Sequence, residues 1–148
     1  MGDEHTKKDG LKVLNELLEM FVEETNQRKD VNKPDFVVWD GDLVWDAFQN
    51  AFDNFNRIVA KMSVPSVLVH GNHDGYRDDP KFLNLQEKLS GYRKLNYSFD
   101  YGKWHFVVIA AQEKYLNDSE KNEMLKWLDN ELKSSKDKKK MLFMHYHI

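Results

Sequence analysis

The chain of 148 residues contains no cysteine. This absence excludes disulfides, thiolate metal ligands and cysteine nucleophiles, so a metal site here would have to use oxygen and nitrogen ligands. Hydrophobic residues make up 41% of the chain, aromatic residues 13% and charged residues 32%, which excludes a disordered tail or a fibre. We therefore expect a single globular domain over residues 1–148.

Long hydrophobic segments are also absent. The longest apolar run, residues 106–111, is far shorter than the roughly 20 residues of a membrane-spanning helix, and the first residues resemble no signal peptide. We expect a cytoplasmic protein without a membrane partner.

The charge balance lacks a strong excess of either sign. The chain has 22 Lys and Arg against 25 Asp and Glu, a net charge of −3. This balance disfavours a protein whose main task is to coat nucleic acid. It permits an enzyme of phosphate esters, because a bound metal can supply positive charge locally.

The hydrophobic pattern alternates between helical and strand spacing. Helices are predicted over 11–22, over 45–62, from Pro80 to a capping Gly91, and from 117 onward. The second of these carries a stripe of aromatic residues, which we interpret as core packing rather than as a surface for base stacking. Short apolar runs predict strands at 36–39, 67–69 and 141–144, and a hairpin over 97–110. This order predicts an α/β domain with a mixed sheet.

Polar side chains of the kind that bind metals follow the predicted strands. They are Asp40 and Asp42 after the first strand, His70, Asn72, His73 and Asp74 after the second, and His145 after the last. Open α/β sheets place their sites at such strand ends, and Asp, Asn and His together suit a divalent cation. Gly41 and Gly71, before Asp42 and Asn72, permit a sharp exit from each strand and a close approach of the backbone to a metal-bound anion.

These motifs resemble those of the calcineurin-like metallophosphoesterases. The resemblance lies in Gly41-Asp42, Gly71-Asn72-His73-Asp74 and His145, and extends to the hairpin at 97–106 and to Trp127-Leu128. It implies a mixed β-sheet sandwich flanked by helices, with α/β/β/α layers. It also implies a metal-dependent phosphoester hydrolase, a phosphatase or phosphodiesterase, that uses two divalent ions (manganese, iron or zinc) and a water bridging them.

The resemblance also implies a role for each matched residue. Asp42 would bridge the two ions, and Asn72 and His145 would bind the second. His73 would stabilise the transition state and protonate the leaving oxygen, with Asp74 orienting its imidazole. The expected substrate is a small-molecule phosphoester or a nucleotide; nucleic acid is less favoured, because the chain lacks a basic excess.

Two family motifs are not matched cleanly. Asp3-Glu4-His5 has the letters of the family's first Asp-x-His motif but no apolar strand before it, so these residues are either ligands or a loop that follows an upstream motif. His145-Tyr146-His147 matches the family's single-histidine motif, and its final Gly-His-x-His motif is absent from this sequence. We therefore expect a domain that is incomplete at one or both ends. The alternative function is a truncated or degenerate domain without activity, serving as a metal-binding or interaction module.

The remaining polar residues near these motifs have structural interpretations. Trp45 stands where the family often has a carboxylate or hydroxyl and cannot bind a metal, and Asp46 is expected to cap the second helix. We interpret His70 and His105 as structural histidines or as residues that support the metal ligands without binding the metal.

Overall fold

The computed structural model describes residues 4–76, 79–110 and 116–146. Helices and strands alternate along the chain in the order α1 (Glu4–Gln27), β1 (Val37–Asp40), α2 (Gln49–Val59), β2 (Ser66–Val69), α3 (Pro80–Ser90), β3 (Tyr97–Tyr101), β4 (Trp104–Ile109), α4 (Asp118–Ser134) and β5 (Lys139–Met144). No helix of the described residues combines the length and apolar character needed to cross a membrane.

The strands in the described part of the chain form two small sheets. In the first sheet β1 lies parallel to β2, with Val38 opposite Val67. In the second sheet β4 is central: it pairs antiparallel with β3 in the predicted hairpin and parallel with β5. The second sheet is therefore mixed, as the sequence predicts.

The two faces of β2 separate the helices from the second sheet. Leu68 packs with Phe52 of α2 and Phe82 of α3, whereas Val69 packs with Val108 of β4. Because successive side chains of a strand point to opposite faces, the first sheet lies between these helices and the second sheet.

The strand β4 continues this layering on the other side. Its Val107 and Ile109 pack against Met124 and Leu128 of α4, while Val108 faces the first sheet. The layers therefore run helices, sheet, sheet, helix. This arrangement confirms the expected α/β/β/α sandwich of mixed sheets flanked by helices.

The third and fourth helices begin as predicted, because local capping defines them. Pro80 is the first residue of α3, and Gly91 caps its end with a φ of 77°. Asn117 begins α4 with a capping box: its side chain accepts from the Glu120 amide, and the Glu120 carboxylate accepts from the Asn117 amide.

The predictions for the first two helices need correction. The helix α1 is longer than the predicted 11–22, and its Leu14 and Leu17 are exposed. The aromatic stripe at 45–62 is helical only over α2: Phe52 is buried, but Trp45 is 79% exposed and Phe48 is 65% exposed. Since α2 starts later than predicted, Phe48 and not Asp46 occupies its N-cap position. The residues before it form the loop of the candidate site.

Candidate metal-binding and active site

The chain leaves β1 through two residues in the left-handed conformation. Gly41 has a φ of 78° and Asp42 a φ of 50°. Aspartate is one of the few residues besides glycine that tolerate this region. The turn brings Asp42 beside the loop after β2, where its Oδ1 accepts a hydrogen bond from the His73 amide at 3.0 Å.

Two glycines allow the three strand ends to meet. A Cβ atom on Gly41 would lie 2.6 Å from Cγ of His145. A Cβ atom on Gly71 would overlap the backbone nitrogen and Oδ1 of Asp42. The structure thus brings Asp42, His73 and His145 together.

His145 is held so that one ring nitrogen faces Asp42. Its Nδ1 donates to the carbonyl oxygen of Asp40 at 2.6 Å, because a carbonyl can only accept. The other nitrogen, Nε2, lies 3.4 Å from Oδ2 of Asp42. A backbone carbonyl that fixes the tautomer in this way is typical of histidines that bind metals.

The distance between these two atoms fits a shared divalent cation. Two donors that are each about 2.1 Å from one ion, at a tetrahedral angle, are about 3.4 Å apart. With Nδ1 donating to Asp40, a neutral His145 presents a lone pair at Nε2 towards the Asp42 carboxylate, and two such groups repel unless a cation or proton lies between them. Oxygen plus imidazole also matches the donor set expected from the sequence.

The described residues add no further His, Asp or Glu side chain to this pair. Within 4–76, 79–110 and 116–146, no three His, Asp or Glu side chains are grouped so as to hold a metal ion. Asn72 follows Gly71 and lines the neighbouring pocket. Asp3, His147 and the side chain of His5 lie outside the described part of the chain.

The imidazole of His73 has a partner that the sequence did not suggest. Its Nδ1 donates to the backbone carbonyl of Trp45 at 2.8 Å, and its ring stacks on the Trp45 indole with centroids 4.8 Å apart and planes at 21°. These contacts leave Nε2 as the nitrogen that can exchange a proton with a substrate.

The hydrogen bonds of Asp74 are to backbone amides of the two loops. Its side chain is fully buried, and its carboxylate accepts from the amides of Gly71 at 2.8 Å and Val44 at 3.2 Å. Burial raises the pKa of Asp74 to about 6, against the lowering effect of these amides. Asp74 thus connects the loop after β1 to the loop after β2 by hydrogen bonds and holds the two loops of the site together.

A small pocket opens beside His73. Its volume is about 250 Å³, and the residues that line it include Trp45, Asp46, Asn72, His73 and Tyr76. The pocket is continuous with the candidate catalytic histidine, so a substrate that reaches His73 also reaches these side chains.

The two histidines interpreted as structural have protein contacts away from this pair. His70 is buried with its ring edge-to-face against Phe82, 4.6 Å between centroids. His105 is buried on β4, with Nδ1 2.8 Å from the Asp100 carboxylate. Both packing environments agree with that interpretation.

Comparison with known proteins identifies the class. The family model of the calcineurin-like phosphoesterases matches residues 1–148, so the chain belongs to this family. The chain is also 26% identical over 117 residues to a 3',5'-cyclic-nucleotide phosphodiesterase of Nostoc, with 76% of this chain and 41% of that protein covered. It is 26% identical over 114 residues to the 3',5'-cyclic adenosine monophosphate phosphodiesterase CpdA of Escherichia coli, with 76% and 40% covered. The chain thus spans well under half the length of these relatives.

Proposed function

We propose that the chain is a metal-dependent phosphoester hydrolase and that phosphodiesters are its favoured substrates. The observation that carries the proposal is the placement of Asp42 Oδ2 and His145 Nε2, 3.4 Å apart, next to His73. The family supports hydrolysis of phosphoesters in general. The two relatives described above are named as phosphodiesterases of cyclic nucleotides, which favours a small nucleotide diester over a phosphomonoester.

Asp42, Asn72 and His145 are proposed to hold the metal. Asp42 can use Oδ2 for this purpose, because its Oδ1 accepts from the His73 amide. When bound, two divalent ions of manganese, iron or zinc would activate a bridging water and neutralise charge on the phosphate. Asp42, as the only carboxylate of the three proposed ligands, is the residue suited to bridging.

His73 is proposed to act on the leaving group. Its Nδ1 is fixed by the Trp45 carbonyl, so a proton carried on Nε2 points away from that anchor. A protonated imidazole can give a proton to the departing alkoxide oxygen. The Gly71 and Val44 amides held by Asp74 keep the two loops in place while this occurs.

A second candidate is a metal-binding or interaction module without catalysis. It is favoured by the ligand set: the described residues contain no group of three His, Asp or Glu side chains that could hold a metal ion, and three proposed ligands hold two ions less tightly than a full set does. The single domain over 1–148 and the cytoplasmic location remain predictions under both candidates.

One assay separates the two candidates. We expect the wild type to hydrolyse a chromogenic phosphodiester in the presence of Mn²⁺. The His73→Ala variant should lose about 100- to 10,000-fold in kcat, the range for a general acid, while still binding Mn²⁺. The Asp42→Asn variant should lose both activity and Mn²⁺ affinity.

Asp129→Asn is the matched control, because Asp129 is an exposed carboxylate on α4 paired with Lys133. It should behave as wild type. If the folded wild type binds Mn²⁺ but is as inert as His73→Ala, the hydrolase proposal is wrong and the binding module is favoured.

A further inference from the structure

The pocket beside His73 differs from the metal-binding pair in the chemistry of its walls. Trp45, Asp46 and Tyr76 line it together with Asn72 and His73. Its volume of about 250 Å³ equals about eight water molecules at ~30 Å³ each. This size suits one ring system attached to a phosphate, and it is too small for a stretch of nucleic acid.

Two aromatic side chains at this pocket remain open to solvent. Trp45 is 79% exposed although one part of its indole stacks on His73, and Tyr76 is 76% exposed. Large aromatic side chains are normally buried in the core or at a binding surface. At this position their flat faces can contact a group that is joined to a phosphate at His73. Proteins commonly bind nucleobases by stacking them on such aromatic faces, whatever the base.

Asp46, which also lines the pocket, adds a preference for a hydrogen-bond donor on the ligand. The Asp46 carboxylate can only accept hydrogen bonds, so it favours a ligand group that donates them, such as an amino group. Adenine and cytosine carry such a donor at their base edge, whereas thymine presents an oxygen at the equivalent position.

From these observations we propose that Trp45, Asp46 and Tyr76 form a base-binding subsite for a nucleoside phosphoester whose base carries an exocyclic amino group. This proposal rests on the proposed hydrolase function, because the phosphate is taken to lie against His73. The subsite would select the substrate, and it takes no part in breaking the phosphorus–oxygen bond.

Binding of three probes by calorimetry tests the subsite. The probes are 5'-AMP, ribose 5-phosphate, which lacks the base, and adenosine, which lacks the phosphate. The wild type should bind 5'-AMP about 5- to 140-fold more tightly than ribose 5-phosphate, the factor that corresponds to stacking of one base. Tyr76→Ala should remove most of this difference and leave the affinity for ribose 5-phosphate unchanged.

Two further variants sharpen the result. Asp46→Asn should weaken 5'-AMP more than inosine 5'-monophosphate, which has no exocyclic amino group. Phe48→Ala is the matched control, because Phe48 is an exposed aromatic residue close in sequence to Trp45 and is not among the described residues that line the pocket. It should bind all probes as the wild type does.

The proposal is overturned if the wild type binds 5'-AMP and ribose 5-phosphate equally, or if Tyr76→Ala and Phe48→Ala have the same effect. Adenosine separates this failure from failure of the hydrolase function. If the chain is catalytically inert but adenosine still binds in a manner that depends on Tyr76, the subsite stands alone. If adenosine binding does not depend on Tyr76, the subsite is wrong whatever the hydrolysis assay shows.

Discussion

Among single residues, the glycines around Asp42 carry the tightest constraints of the candidate site. Gly41 has a φ of 78°, and the His145 ring occupies the space that a Cβ atom on Gly41 would need. Gly91 has nearly the same φ, 77°, but nothing lies within 4 Å of the Cβ it lacks. A substitution at Gly91 would therefore show the effect of backbone strain alone, whereas one at Gly41 would show strain together with steric crowding.

We expect Gly41→Ala to destabilise the protein more than Gly91→Ala does. Both substitutions carry the strain of a left-handed alanine, about 1–2 kcal/mol, but only Gly41→Ala must also displace His145. The displaced imidazole should weaken Mn²⁺ binding by about tenfold or more. Urea unfolding measures the first effect, and Mn²⁺ titration measures the second. Equal losses of stability with unchanged Mn²⁺ affinity for both variants would contradict the proposed contact.

At the same scale, side-chain motifs were more predictable from the sequence than backbone contacts. Asp42, His73 and His145 could be selected because their residue types and their positions after strands are visible in the sequence. Asp74 was predicted to orient the His73 imidazole, whereas the hydrogen bond that the structure gives to its Nδ1 is with the carbonyl of Trp45. Every residue possesses such a carbonyl, so no residue type reveals this contact.

Among the elements, the helices with local capping signals were the predictable ones. Pro80 and Gly91 bound α3, and Asn117 and Glu120 define the start of α4. The start of α2 was missed, because Trp45 and Phe48 continue the helical spacing of the apolar residues although they lie in the loop before it. Their hydrophobicity is the same in either location, and only the fold shows that they face solvent.

The two loops of the site depend on each other through Asp74. Its carboxylate binds one amide from each loop, Val44 and Gly71. Burial raises its pKa from the usual 3.8 to about 6. A carboxyl group whose pKa is higher in the folded state favours folding below pH 4, and this contribution is lost as the pH rises through about 6.

We therefore expect the metal-free wild type to gain stability from this group as the pH falls from 7.5 to 5. A rise of about two pKa units limits the gain to about 3 kcal/mol at full protonation. Asp74→Asn should lose one amide contact, at about 1–3 kcal/mol, and should lack the pH-dependent part. Urea unfolding of both proteins at pH 5 and pH 7.5, with chelator, measures this. If the difference between them is the same at both pH values, the pKa of Asp74 is not raised.

Across the whole molecule, the two sheets are joined by a buried tyrosine as well as by apolar packing. The Tyr97 hydroxyl of β3 donates to the Leu68 carbonyl of β2 at 2.9 Å and accepts from the Leu68 amide at 3.1 Å. Burial raises the pKa of Tyr97 to about 12, so the hydroxyl stays protonated and keeps both roles. The α/β/β/α layering was expected from the family resemblance, but this link was not, because the sequence does not show which aromatic of the hairpin faces the other sheet.

We expect Tyr97→Phe to destabilise the protein by about 2–6 kcal/mol, because it leaves a buried amide and a buried carbonyl of Leu68 without this partner, at about 1–3 kcal/mol for each group. Tyr101→Phe is the matched control on the same strand: its hydroxyl bonds to Asp35 at 2.7 Å on the exposed surface, where water can replace the lost contact. That change should alter the free energy of unfolding by less than about 0.5 kcal/mol. Urea unfolding of the two variants measures the difference. Similar values for both would mean that apolar packing such as Val69 on Val108 holds the sheets together and that the tyrosine link contributes little.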